Sequence, residues 1–205
     1  MELKQAIESR TSVRVFKNEQ LPLEDLKEIV RLASLAPSVA NFQPWRFVIV
    51  TNKQLLEDMA RKVAMQLENI PANESKASQN VKSQVEWFAT FFQDAPALIA
   101  LAMDSYESVL EKGVVMGHDE INRMRNYPDI QSAGACIQNM LLAAVDMNYG
   151  ACWLSAPMIA KNTLEKMLGL DENWNLIAFV AIGIPAKIPV KKPAKKLEDM
   201  IKVIE

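Results

Sequence analysis

The chain has 205 residues, 50% of them hydrophobic and 23% charged, which sets the expectation of a single well-filled domain over residues 1–205. A formal charge of −2 gives no electrostatic case for a nucleic-acid partner, and no stretch reaches the ~18 uninterrupted apolar residues that a membrane span needs. Two cysteines, Cys136 and Cys152, and one histidine, His118, are too few for a disulfide framework or a structural metal cluster.

At the N-terminus, Glu2 and Lys4 have no apolar run behind them and do not read as a signal peptide, so a cytoplasmic location with reduced thiols is expected. Leu3, Ala6 and Ile7 make a short helix ending near Arg10. Pro22 stands at the first turn of a second helix, with Leu26, Ile29, Val30 and Ala33 at helical spacing, and this helix ends before Pro37. Trp45 to Thr51 reads as a strand. Asn52 caps a helix carrying Leu55, Leu56, Met59, Val63 and Leu67. After Pro71 another helical stretch runs through Val81, Val85, Phe88 and Phe92.

Two continuous apolar runs, Ala97 to Met103 and Leu176 to Ile182, read as central strands covered on both faces. Between them a long helix runs from about Asp129 to Asn148 and is ended by Gly150. Its small residues Ala133, Gly134, Ala135, Ala143 and Ala144 allow close packing on a neighbour, which makes it a candidate dimer interface. Ala151 to Leu154 reads as a short strand, and Asn162 to Leu168 as a helix stopped by Gly169. Segment 104–128 has no clear period and is expected to be a loop with a short helix, over or beside a site. The order of elements predicts an α+β sheet with helices on both faces.

Two segments carry the chemistry. Arg10-Thr11-Ser12-Val13-Arg14 sets two guanidiniums and two hydroxyls within five residues, straight after a helix. Arginine offers a rigid fork of donors matched to phosphate, and Ser and Thr add donors to the same anion. Ala36-Pro37-Ser38-Val39-Ala40-Asn41-Phe42-Gln43-Pro44-Trp45 places amide side chains and an aromatic where a loop enters a strand. Asn41 offers a donor and an acceptor in one plane, suited to a heterocycle's edge. Trp45 reads equally as scaffold or as ligand contact. Cys152, beside Trp153 in an apolar run and without a His–Asp pair, reads as a small core residue. Neither Gly-x-Gly-x-x-Gly after a strand nor Gly-x-x-x-x-Gly-Lys-Ser/Thr occurs, so a phosphate would be held by side chains.

Together these two segments resemble the N-terminal signature of the nitroreductase family, flavoenzymes that hold FMN at a homodimer interface. The resemblance implies a three-layer α+β fold with a mostly antiparallel central sheet flanked by helices, in a homodimer. It implies that Arg10, Thr11 and Ser12 meet the FMN phosphate and ribityl chain. Arg14 then lies by the pyrimidine edge, where a cation stabilises the negative charge of reduced flavin. Pro37, Ser38 and Asn41 reach the flavin from the other subunit, and backbone groups at Leu154 and Ser155 approach its ring. Relatives carry Gly-x-Pro, here Gly183-Ile184-Pro185, followed by a Lys-Pro-Arg element. Lys192 matches its lysine, Ala194 stands where the arginine is usual, and Lys195 is the substitute as a point charge.

The implied activity is FMN-dependent oxidoreduction by a ping-pong mechanism, moving hydride from NADH or NADPH to a small organic acceptor such as a nitro compound or quinone. No catalytic side chain is assigned, because the cofactor carries the chemistry. Two alternatives stand beside it. One is a flavin-binding or storage protein without turnover. The other is an enzyme of the same fold with different chemistry, such as a dehalogenase recruiting Lys82, Glu86 and Tyr127 toward a zwitterion.

Overall fold

The two apolar runs become the centre of a four-stranded sheet. β1 (Trp45–Val50), β2 (Ala97–Asp104), β3 (Gly150–Leu154) and β4 (Trp174–Gly183) lie in the order β1-β2-β4-β3, with every pair antiparallel. This computed structural model of the chain describes every residue except 72, 74, 105–108 and 192. The helices are α1 (Leu3–Ser9), α2 (Leu23–Ala33), α3 (Lys53–Glu68), α4 (Lys76–Thr90), α5 (His118–Met124), α6 (Pro128–Asp146) and α7 (Lys161–Leu168). None of them is long and apolar enough to cross a membrane.

Alternation along β2 decides the layers. Ala97, Ile99, Leu101 and Met103 join Leu26 and Ile29 of α2 and Ile137 and Met140 of α6 in one core. Leu98 and Ala100 point the other way, into a second core with Met59 and Val63 of α3, Phe92, and Leu164 of α7. The result is helices, sheet, helices. A one-residue irregularity in β4 pairs Leu101 with Ala178 but Ala102 with Leu176. That bulge turns Leu176 into the second core although Ala178 faces the first.

Several local signals act as the sequence suggests. The Asn52 side chain accepts the Leu55 N–H at 3.0 Å at the start of α3. Gly169 ends α7 with φ 64°, in the left-handed region that glycine enters without strain. Segment 104–128 contains a short 3₁₀ turn at Glu111–Gly113 and then α5.

One expectation is corrected. α6 stops at Asp146, and the chain turns out through Asn148 at φ 64°, so Gly150 opens β3 instead of ending the helix. Asparagine is one of the few residues that tolerates this conformation, and it took the role assigned to glycine. In α4, Val81, Val85 and Phe88 stay exposed and Ala89 alone is buried. Helical spacing puts those side chains on one stripe, but it does not supply anything to cover that stripe. In α6, Ala133, Ala143 and Ala144 are buried within the chain itself, so much of the small-residue surface serves the packing on α2 and the sheet.

The free edge of β3 is covered by the segment after α1. Ser12 bridges Ala151 in parallel sense, and the Val13 N–H donates to the Ala151 carbonyl at 3.0 Å. Further on, Lys17 donates to Ile184 at 2.8 Å and Ala186 to Val15 at 3.0 Å. Gly150 permits this close approach, because a Cβ there would sit 2.8 Å from Val13 Cβ.

Candidate functional site

The end of α1 and the edge of β3 together place the arginine segment. The Arg10 N–H closes the helix on Ala6 at 3.0 Å, and φ −54°, ψ 124° at Arg10 turns the chain into an extended run. That run is pinned at Val13 to β3, so Arg10, Ser12 and Arg14 are held beside the last strand residues. A cleft of about 600 Å³ opens there. Arg10, Ser12 and Ser155 are among its walls, with Gln138 and Leu141 from α6, Trp153 from β3 and Ile7 from α1.

Among the described residues no carboxylate lies within ion-pair distance of Arg10 or Arg14. Arg14 Nη1 makes one long bond, 3.4 Å, to the Ser12 carbonyl, and its guanidinium lies 5.3 Å from the centre of the Phe88 ring. The local field is felt at Cys152 on β3. Burial pushes its thiol up, while Arg14, Ser12 and Arg10 pull in the opposite direction. Burial dominates, so the thiol stays protonated and inert, as a core residue should. Two guanidiniums with hydroxyl and amide donors on these elements are the donor types that an anion pairs with. The apolar part of the wall, Ile7, Leu141 and the 45%-exposed Trp153, suits a ring attached to it.

The other residues singled out from sequence fall differently. Thr11 is half-buried between Arg10 and Ser12. The Leu154 side chain is buried in the second core, which leaves its backbone for any ligand. Pro37, Ser38 and Asn41 are not in this cleft. Their loop docks on the first part of α6, where the Val39 N–H donates to Ser132 Oγ at 3.3 Å. Gln138 and Leu141 lie six and nine residues further along that helix, roughly 9–14 Å away. Ala40, Asn41 and Gln43 have φ of 50°, 55° and 53°. Three non-glycine residues in the left-handed region form a strained loop, held by Ser38 Oγ accepting the Gln43 N–H at 2.9 Å and Asn41 Oδ1 accepting from Gln43 Nε2 at 3.2 Å. Trp45 is scaffold: it is 6% exposed and its indole N–H donates to the Ser34 carbonyl at 3.1 Å.

Lys195 is exposed, and Lys192 lies outside the described residues. It is Lys191 that reaches the N-terminal region, donating to the Glu8 carbonyl two residues before Arg10. Gln138, Trp153 and Lys191 were not singled out from sequence. A large exposed aromatic inside an otherwise buried strand is the one signal that could have marked Trp153, and it needs the burial pattern to be seen.

Comparisons with known proteins bear on the family. A profile of the nitroreductase family matches residues 7–184. The chain belongs to the nitroreductase family. This nitroreductase-family chain is 32% identical over 187 residues to an iodotyrosine deiodinase of Haliscomenobacter hydrossis, covering 89% of this chain and 79% of that one. A BluB-like flavoprotein of Clostridium difficile 630 superposes with a TM-score of 0.86 at 28% identity, covering all of both chains. A nitroreductase from Desulfitobacterium hafniense DCB-2, whose structure holds FMN, shares the fold with a TM-score of 0.74 at 23% identity over the full length of both.

Proposed function

We propose that this chain is an FMN-dependent oxidoreductase that takes hydride from NADH or NADPH and delivers it to a small organic acceptor. The observation that carries the reading is Arg10 beside Ser12 and Ser155 at a cleft with an aromatic wall, with Arg14 on the same segment and, among the described residues, no carboxylate paired with either guanidinium. That donor set fits FMN. Arg10, Thr11 and Ser12 would hold the phosphate and ribityl chain, and Lys192 and Lys195 of the tail would add positive charge. Gln138 offers a further amide to the hydroxyls. Ser155 is in the cleft wall, and backbone groups at Leu154 and Ser155 would approach the ring. When bound, FMN supplies reversible two-electron hydride chemistry.

Among the described residues no acid pairs with Arg14, so its positive charge is left to favour an electron-rich ligand at its edge. The strained loop carrying Pro37, Ser38 and Asn41 stands away from its own chain's cleft and would complete the cleft of a second copy. Exposed Leu3, Ile7, Leu35 and Phe42 supply apolar surface for that homodimer. The expected state is an FMN-loaded dimer in the cytoplasm, and sedimentation of an FMN-loaded monomer would defeat the shared site.

The test is an absorbance spectrum of the purified protein, before and after NADH or NADPH is added without oxygen. Visible flavin bands that bleach support the reading. Persistent bands favour flavin storage, and a colourless protein that FMN cannot restore refutes it.

Reductive dehalogenation is the second reading, favoured by the 32% identity to a deiodinase. The residues considered for a zwitterion do not meet in one place. Lys82 Nζ donates to the Glu68 carbonyl at 2.9 Å at the end of α3, whereas Tyr127 lines a different cleft with Asn122 and Asp129. Iodide release from an iodinated tyrosine by the chemically reduced protein, measured against nitro-compound reduction, separates the two chemistries.

A further inference from the structure

Arg14 is the cation on which the tuning of the flavin depends in the reading above, yet hydrogen bonds do little to fix it. Its hydrogen bond to the Ser12 carbonyl is long, 3.4 Å, and stays within the same extended segment. Cys152 on β3 lies near enough to feel its charge, and on α4 the Phe88 ring lies 5.3 Å from the guanidinium carbon. Phe88 in turn sits edge-on to Trp87, with ring centres 4.9 Å apart, and Trp87 leans on Phe91 at 5.7 Å. Phe91 is buried at the junction of α4 with the second core. The guanidinium is thus connected through three aromatic rings to the body of the protein.

We propose that Phe88 is the positioning residue for Arg14, and that it holds this cation in place without neutralising it. An aromatic ring is attracted to the face of a guanidinium, and the N–H donors lie in the guanidinium plane. A ring therefore restrains Arg14 while its donor edge stays free for a ligand. A carboxylate at the same place would consume the donors and cancel the charge. The same geometry gives a role to the aromatic pair that α4 keeps on an open face, with Trp87 and Phe88 49% and 38% exposed. The proposal rests on FMN binding at the Arg10–Arg14 cleft and adds α4 to the elements that set flavin affinity.

The test is a double-mutant cycle on the full chain with FMN. Phe88→Leu and Phe88→Met remove the ring, Phe88→Tyr keeps it, and each is made with and without Arg14→Ala. Dissociation constants for oxidised and dithionite-reduced FMN are measured, together with the midpoint potential of the bound flavin. A cation–ring contact at a partly exposed site is expected to change reduced-FMN affinity by about two- to five-fold on Phe88→Leu or Phe88→Met. Oxidised-FMN affinity should hold, so the potential falls by about 10–20 mV at about 30 mV per tenfold for two electrons. Phe88→Tyr should restore both values, and the effect should vanish in the Arg14→Ala background. An equal loss with and without Arg14, or an unchanged potential, overturns the positioning role while leaving the cofactor assignment intact. Failure of the unaltered protein to bind FMN removes both, and is seen before any variant is made.

Discussion

Gly150→Ala tests how the fold delivers the arginine segment to the cleft. An added Cβ would lie 2.8 Å from Val13 Cβ, 2.8 Å from Val13 Cγ2 and 2.9 Å from Pro185 Cγ. Ordinary carbon contacts are about 3.5–4.0 Å, so the overlap is at least about 0.6 Å on two sides. Neither neighbour yields easily: valine is β-branched and stiff, and proline is a closed ring. Overpacking of this kind costs about 1–3 kcal/mol, against which alanine recovers about 0.4–1 kcal/mol through the unfolded chain. The net expectation is a loss of about 1–2 kcal/mol, or about 2–8 °C in Tm for a chain of this size. Relief requires residues 12–14 to move off β3 and stretch the 3.0 Å bond from Val13 to Ala151, so FMN affinity should fall in the same variant. Thermal melts and an FMN fluorescence titration measure the two effects. Gly113→Ala is the control, since nothing lies within 4 Å of its added Cβ. A Gly150→Ala protein with wild-type Tm and FMN affinity would refute the coupling between the β3 edge and the cleft.

Arg10→Ala should weaken FMN about 10- to 100-fold in the same titration, the value of a charged hydrogen bond, with Arg10→Lys recovering only part because a point charge replaces a fork; an unchanged constant removes Arg10 from the site. The Tyr149 hydroxyl donates to Asp25 Oδ2 at 2.5 Å, and this bond, with burial and the carboxylate charge, holds the phenol up to about 12. A folded-state pKa above the ordinary 10.0 means the contribution is full below pH 10 and lost as pH rises toward 12. Tyr149→Phe should therefore cost about 1–2 kcal/mol in urea unfolding at pH 7, with the gap to wild type closing at high pH; a gap that widens there would contradict the assignment. Burial pushes the Cys136 thiol up to about 12 and raises Cys152 as well, so neither should react with a disulfide reagent at pH 8 until denaturant exposes both free thiols. Rapid labelling of the native protein would show that the β3 core opens.

Local rules were enough for much of this chain. The caps at Asn52 and Gly169 each rest on one side chain or one φ, and short-range chemistry determines both. The two apolar runs announced the central strands because burial on both faces excludes polar residues along their whole length. The Arg10–Arg14 cluster stood out only together with the Pro37–Trp45 stretch, since a charged turn after a helix is common by itself. Asn148 defeated the same kind of reasoning by doing the work of a glycine.

What the sequence by itself determined, then, was most of the elements, the caps at Asn52 and Gly169, and a segment dense in anion-binding side chains. Only the tertiary structure decided where that segment points. Ser12 and Val13 must pair with the β3 edge, some 140 residues away in the chain, before Gln138, Trp153 and Ser155 can face Arg10. The exposure of Trp153 and the uncovered stripe of α4 likewise depend on which neighbour is present, and periodicity cannot report that. Pairing across such distances is paid for in chain entropy and returned by packing over the whole sheet, so no local window contains it.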